Sequence, residues 1–181
     1  MQPIIYDVAV SADGFIAGPS ADISRFAHHG PVVDDYMARL ATYACAIMGR
    51  ATYEFGYGFG LKPGANPYPH MTCVVFSRTL TLPAETEVEI VRDAPAARID
   101  HLKRTSPGPI YLCGGGQFAG WLLSQGLIDR LRLKRAPIFL GDGTPLFGDR
   151  AEPVDATVGT SKLYDGGYLF QEFDLTDECR T

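Results

Sequence analysis

Through residue 126 the chain alternates apolar runs of strand length with stretches of helical character, and after that the helices stop. That change of rhythm excludes most fold classes. Strand-like runs fall at residues 4–10, 44–48, 73–76, 88–91, 110–113, 131–136, 154–163 and 168–175, about eight in all. Helix-like stretches lie between the earlier ones, at 33–42, 51–55, 94–103 and 118–125, the last followed by Gly126 where a C-terminal cap would stand. Strands that alternate with helices assemble as a parallel sheet with helices packed on it. Strands joined by turns such as "DGGY", Asp165 to Tyr168, return antiparallel. The expected fold is an α/β sheet, mostly parallel, finished by an antiparallel C-terminal hairpin.

A chain of 181 residues holds one full hydrophobic core and not comfortably two, so residues 1–181 are read as a single domain. Its 46% hydrophobic and 20% charged residues are those of a globular protein that folds alone. The net charge of −5, without a basic run, argues against a nucleic-acid or anionic-lipid partner and leaves a small molecule as the expected one. No apolar stretch reaches the ~18 residues of a membrane span, and the start "MQPIIYDVAV" runs directly into a strand pattern, so a cytoplasmic location is expected. Cys45, Cys73, Cys113 and Cys179 are too widely spaced for a clip, and His28, His29, His70 and His101 form no metal motif, so no metal is expected.

The stretch "IYLCGGGQFAGWLL", from Ile110, sets three consecutive glycines between a strand and a helix. Naked backbone beside a helix N-terminus lets an anion such as a phosphate approach the main-chain N–H groups. Gly114, Gly116 and Ala119 also satisfy the GxGxxG/A spacing of dinucleotide folds, with Arg135 further on, but those folds need further βα units where this chain has strands. Two other strand ends carry groups of the same kind. "IMGRATYE", from Ile47, releases Gly49, Arg50 and Thr52 at a helix start, and "VVFSRTL", from Val74, releases Ser77 and Arg78. In an open parallel sheet these ends share one edge, where ligands bind. An extended cofactor with several phosphates fits them, and the two arginines suit a terminal ribose phosphate, hence NADPH rather than NADH.

Together "YDVAVSADGFIAGP" from Tyr6, "IMGRATYE", "VVFSRTL", "IYLCGGGQFAGWLL" and "IDRLRLKRAPIFLGDGTPLF" from Ile128 resemble stand-alone relatives of the riboflavin-biosynthesis reductase (RibD C-terminal) domain, within the dihydrofolate-reductase-like superfamily. The resemblance spans most of the chain. It implies a three-layer α/β/α fold with NADPH across the strand ends, and a cis peptide between the glycines that match Gly114 and Gly115. By the same resemblance Gly49, Arg50 and Thr52 hold the pyrophosphate and adenosine phosphate, and Ser77 and Arg78 the adenosine end. Gly115, Gly116, Gln117 and Phe118 hold the diphosphate from the helix side, and Ala9, Ile16 and Ala17 border the nicotinamide. The segment "LRLKRAPIFLGDGTPLF" resembles the part of riboflavin reductases that forms a homodimer through strand pairing and apolar contact; read alone, it is an interior strand followed by a turn at Gly141 to Gly143. The resemblance lapses at the substrate, because "YEFGYGFGLKPGANPYPHM" stands where riboflavin reductases carry a "LADxPxLTVR"-like stretch.

Hydride transfer needs alignment, exclusion of water and a proton source rather than a nucleophile. Asp13, in "SADGFIA" after the first strand, is a candidate general acid if burial raises its pKa; the rival reading makes it part of a turn with Gly14. Asp34 and Asp35 fall near the place of the pterin-binding carboxylate of dihydrofolate reductases, and either can cap the helix that follows. The glycine- and proline-rich segment 55–69 is expected to be a long irregular loop whose aromatics cover an apolar surface or stack on a flavin. Two functions remain open: an NADPH-dependent reductase of a small heterocyclic or carbonyl substrate, and a non-catalytic nucleotide-binding or regulatory protein that retains the cofactor site.

Overall fold

The computed structural model describes residues 1–149 and 153–175, so Cys179 lies outside the described residues. In chain order the elements are β1 Ile4–Val10, β2 Phe15–Ala17, α1 Pro31–Leu40, β3 Cys45–Gly49, α2 Arg50–Phe55, β4 Thr72–Phe76, β5 Glu89–Val91, α3 Pro95–Thr105, β6 Ile110–Gly114, α4 Gly116–Ser124, β7 Arg130–Arg135, β8 Thr144–Pro145, β9 Thr157–Leu163 and β10 Leu169–Asp174. Eight strands make one sheet in the order β5-β4-β3-β6-β1-β7-β10-β9. The six from β5 to β7 are parallel, and β10 and β9 return antiparallel, as the loss of helices after residue 126 requires.

The central strands are apolar throughout because both their faces are covered. On one face α3 and α4 set Ile99, Leu102, Ala119 and Leu122 against Ile4, Tyr6, Ile47 and Leu112. On the other, Leu40 of α1 and Tyr53 of α2 pack with Ile5, Ala46, Met48 and Val75. Each such side chain contributes about 1.5–3 kcal/mol through burial. The expected three-layer α/β/α arrangement follows. Helix starts lie two residues earlier than the apolar periodicity places them in α1 and α4. In α1 the reason is Pro31, whose fixed φ suits the first helical position. Gly126, at φ 64°, does end α4, and the next N–H, on Leu127, returns to the Leu122 carbonyl at 2.9 Å.

β2 and β8 form a separate antiparallel pair beyond the sheet edge. The Ser11 hydroxyl accepts the Phe15 N–H at 2.9 Å, and the Leu146 N–H donates to the Gly14 carbonyl at 3.0 Å. This draws the segment around β8 across the C-terminal ends of the strands and down onto α4. A Cβ on Gly116 would lie 2.2 Å from the Pro145 carbonyl oxygen, and one on Gly143, itself at φ 140°, would lie 2.0 Å from that of Ala17.

β7 is hydrogen-bonded to β1 along one edge and to β10 along the other. Within the chain β7 is therefore an interior strand with no free edge, whereas β8, further along the same segment, pairs only with β2 among the described strands. The outer edge of β9, exposed at all seven residues, pairs with no described strand.

These contacts predict a contrast between two glycines. Gly116→Ala drives a methyl into backbone and is expected to cost about 1–3 kcal/mol or more, whereas Gly58→Ala, with nothing within 4 Å of its Cβ position, leaves the urea midpoint unchanged.

Candidate functional site

The C-terminal ends of β3, β4 and β6 carry the groups singled out in the sequence. Arg50, the first residue of α2, donates from Nη1 to Thr79 Oγ1 at 2.9 Å and from Nε to Glu54 at 2.9 Å, so the ends of β3 and β4 are tied along one edge. Ser77 Oγ accepts the N–H groups of Thr79 (3.2 Å) and Leu80 (2.9 Å) and shapes the turn in which Arg78 stands exposed. The described residues contain no cis peptide bond, so the junction after β6 is not built as the resemblance implies. The chain turns instead through positive φ at Gly114 (120°) and Gly115 (90°), conformations open to glycine without strain. A Cβ on Gly115 would touch the Thr52 hydroxyl at 2.6 Å, so that hydroxyl borders bare backbone. The Gly116, Gln117 and Phe118 N–H groups, in the first turn of α4, have no acceptor among the described residues.

Of these groups Thr52, Gly114 and Gly115 line a cleft of about 230 Å³, whose wall also includes Val8, Ile16 and Ala17. Five of the residues named from the sequence are thus brought together, with Gly49 and Arg50 on the α2 side. Ser77 and Arg78, after the end of β4, do not line it, and neither do Gly116, Gln117 and Phe118. Gln117 faces a separate hollow beside Trp121 and Phe147, and Phe118 stacks between Phe76 (5.0 Å) and Trp121 (6.0 Å). Gly116 is bare because of the Pro145 carbonyl, a contact within the protein rather than with a ligand. Of the aromatic loop, Phe55 reaches the cleft, while Tyr57 and Tyr68 pack on the core.

Ala9 faces elsewhere. It lines a second cavity, of about 300 Å³, between α1 and the sheet, with Val33, Tyr36, Tyr111 and Lys134, and Val8 and Cys113 line both spaces. Cys113 is the extra residue of a bulge in β6, since Ile47 pairs with Leu112 and Met48 with Gly114. The floor of this cavity holds a polar cluster that the sequence analysis did not single out. The Asp7 carboxylate, fully buried, accepts from Arg39 (2.8 and 3.3 Å), Tyr43 (3.2 Å) and Lys134 (2.8 Å). Lys134 Nζ also lies 3.4 Å from the centre of the Tyr36 ring. Burial pushes the Asp7 pKa up, but the two cations more than offset it and hold the carboxyl below its ordinary value. Burial pushes the Lys134 ammonium down, against the pull of Asp7, to about 8. Burial likewise raises the Tyr36, Tyr111 and Cys113 groups, which stay neutral at physiological pH. The signal was present in the sequence as alternation: Arg130, Arg132 and Lys134 share one face of β7, opposite Leu131 and Leu133.

Asp13 is not placed as a general acid. Its carboxylate accepts from Ser11 Oγ (2.6 Å) and from the Gly141 (2.7 Å) and Leu140 (3.1 Å) N–H groups, and these bonds lower its pKa to about 2, the reverse of what proton donation requires. It is a latch for the loop after β7, in keeping with the turn reading. Nor do Asp34 and Asp35 cap α1, whose N-cap is Gly30. Asp35 receives Lys162 Nζ (2.5 Å) and Tyr164 OH (2.7 Å), tying α1 to the C-terminal hairpin, and Asp34 is exposed.

Two substitutions check these roles. Asp7→Asn strands the buried Lys134 and the half-buried Arg39 and is expected to cost about 3–5 kcal/mol at neutral pH. Because the Asp7 pKa is depressed in the fold, its contribution is present above the ordinary carboxylate pKa and fades as pH falls below it, so wild-type and variant urea curves converge in acid. Asp13→Asn frees the loop, and amide exchange at Leu140 and Gly141 accelerates while that of β7 stays as it was.

Comparison with known proteins agrees with this architecture. Residues 2–169 match the RibD C-terminal domain family. The chain is 24% identical to the uncharacterized protein YyaP of Bacillus subtilis (strain 168), covering 92% of this chain and 91% of that one, and 29% identical to YwjB of the same organism over 81% and 82%. Among solved structures, a provisionally named riboflavin biosynthesis protein of Shewanella sp. PV-4 superimposes with a TM-score of 0.81 at 24% identity, covering 97% of this chain and 99% of that one. A Thermotoga maritima diaminohydroxyphosphoribosylaminopyrimidine deaminase/5-amino-6-(5-phosphoribosylamino)uracil reductase gives 0.73 at 15%, with 97% of this chain matched to 57% of that one. These two likenesses share the three-layer fold with its mostly parallel sheet. The chain belongs to the RibD C-terminal domain family.

Proposed function

We propose that the chain is a reductase that passes a hydride from NADPH to a small heterocyclic or carbonyl substrate. Membership of the family supports an oxidoreductase in general, and the reductase named in the Thermotoga maritima relative supports hydride chemistry on a nitrogen heterocycle. One observation carries the reading: the glycine-edged cleft and the cavity beneath α1 share Val8 of β1 and Cys113 of β6, two adjacent strands, in their walls. A nicotinamide in the first and an acceptor in the second would lie next to each other there, between α1 and the β2–β8 pair. The free N–H groups of α4, Thr52 and Arg50 suit the cofactor's diphosphate, and Arg50 with Ser77 and Arg78 its terminal phosphate. NADPH supplies the hydride; the protein orients it and provides the proton.

The same proposal includes a homodimer. With β7 paired on both edges, the surface that supports it is the open edge of β9, with Val158 and Leu163, together with Phe139, which is 75% exposed. Light scattering is expected to give twice the 19.7 kDa chain mass.

Calorimetric titration with NADPH and NADH, followed by reduced-nicotinamide absorbance in the presence of pterin, pyrimidine and quinone acceptors, tests the assignment. Binding that favours NADPH, with oxidation by at least one acceptor, is the expected result. Arg50→Ala is expected to weaken NADPH about tenfold and NADH far less. Tight binding without oxidation by any acceptor assigns the non-catalytic reading instead, and absence of binding removes both.

A further inference from the structure

The buried cluster beneath α1 does not balance. Asp7 carries one negative charge, Arg39 and Lys134 one positive charge each, so the group holds one positive charge in excess. Neighbouring cations do not share this fate: Arg132 is paired with Glu172 at 2.5 Å and Arg130 with Asp174 at 2.7 Å. Nor is Lys134 needed to satisfy Asp7, whose two oxygens already accept from Arg39 and Tyr43. A second buried cation on a neutralised carboxylate is costly unless a further electron-rich partner arrives. Lys134 has three donors and bonds one described acceptor, Asp7. Its side chain lines the 300 Å³ cavity, where the other groups facing it are neutral or aromatic: Tyr36 from α1, Tyr111 and Cys113 from β6, Tyr168 before β10, with His28 at the exposed rim.

We propose that this cavity seats a small planar ring bearing a carbonyl or imine group, with Lys134 as the catalytic residue that orients that group and gives it a proton. The inference rests on the reductase reading. The tyrosine rings suit a flat, conjugated acceptor, and the volume stands at the lower end of ordinary ligand pockets, roughly 300–1,000 Å³. In the step, the dihydronicotinamide C4–H bond breaks and its electron pair forms a C–H bond at the carbonyl or imine carbon. The π pair moves to oxygen or nitrogen, which takes a proton from the Lys134 ammonium as that N–H bond breaks. The acceptor is reduced and the nicotinamide oxidised. Lys134, left neutral, regains its proton from water. Excess positive charge at the floor stabilises the anionic character that develops on the heteroatom.

Two variants and one profile test this. Lys134→Met keeps the aliphatic stem and leaves Asp7 bonded to Arg39 and Tyr43, and Lys134→Arg keeps the charge but holds its proton. Calorimetric binding of a pterin, a uracil and a benzoquinone without cofactor is expected to show at least one ligand whose affinity falls about tenfold in Lys134→Met, with NADPH affinity unchanged in both variants. For an acceptor that turns over, single-turnover oxidation of NADPH by the wild type should decline as pH rises past about 8. Both variants are expected to be about 100-fold slower and flat over that range. Variants that keep the wild-type rate and its pH decline overturn the proposal, as does failure of all three probes to bind the wild type. Failure of the reductase reading looks different: probe binding that depends on Lys134 without any NADPH binding.

Discussion

A single buried carboxylate organises the half of the molecule that faces the second cavity. Asp7 lies on the central strand at a position where every neighbouring residue of β1 is apolar, and it is reached by donors from α1, from the turn after α1 and from β7. β1, α1 with the turn that follows it, and β7 are therefore held together by one side chain, in a setting where each hydrogen bond is strengthened by the low local dielectric and each omission is costly. Arg39 also stacks on Phe170, at 4.4 Å, so the cluster reaches the hairpin and fixes how far α1 stands from the sheet. The cavity beneath α1 exists because polar groups with defined lengths, rather than apolar side chains free to collapse, set that separation.

The opposite wall of the site is made by crowding. Gly116 and Gly143 let the segment around β8 lie against α4 and β2 at backbone distance. Asp13 fastens the start of that segment through the Leu140 and Gly141 amides. The triple glycine that dominates the sequence thus has a divided purpose. Gly114 and Gly115 let the chain turn with its peptide groups facing the cleft, and Gly116 makes room for another stretch of the same chain.

The sheet was legible because a strand covered on both faces has to be apolar along its whole length. All eight main strands lie within a few residues of where the sequence places them, and the switch to antiparallel return after residue 126 is visible as missing helices. β2 and β8, of three and two residues, are too short to show a period. The site was legible where it is main chain and illegible where it depends on register. Thr52, Gly114 and Gly115 could be gathered from the rule that ligands meet the carboxyl ends of parallel strands, and Ile16 and Ala17 only from the family resemblance. Asp7 and Lys134 are 127 positions apart, and only the pairing of β1 with β7 brings them together. Phe118 shows the limit of carrying a position over by motif. It does not line the cleft, and its side chain belongs to an aromatic stack packed against the core.

The two spaces that meet at Val8 and Cys113 are built of different materials, and this governs how the protein can diverge. The first is edged by two glycines and otherwise lined mainly by apolar side chains, several of them small, such as Ala17, Ala21 and Ala51. The second is surfaced by rings and a long amine, each encoded separately and each replaceable. A scaffold divided in this way can keep the one space while single exchanges reshape the other, so the identity of the acceptor is set apart from the frame that holds the sheet together.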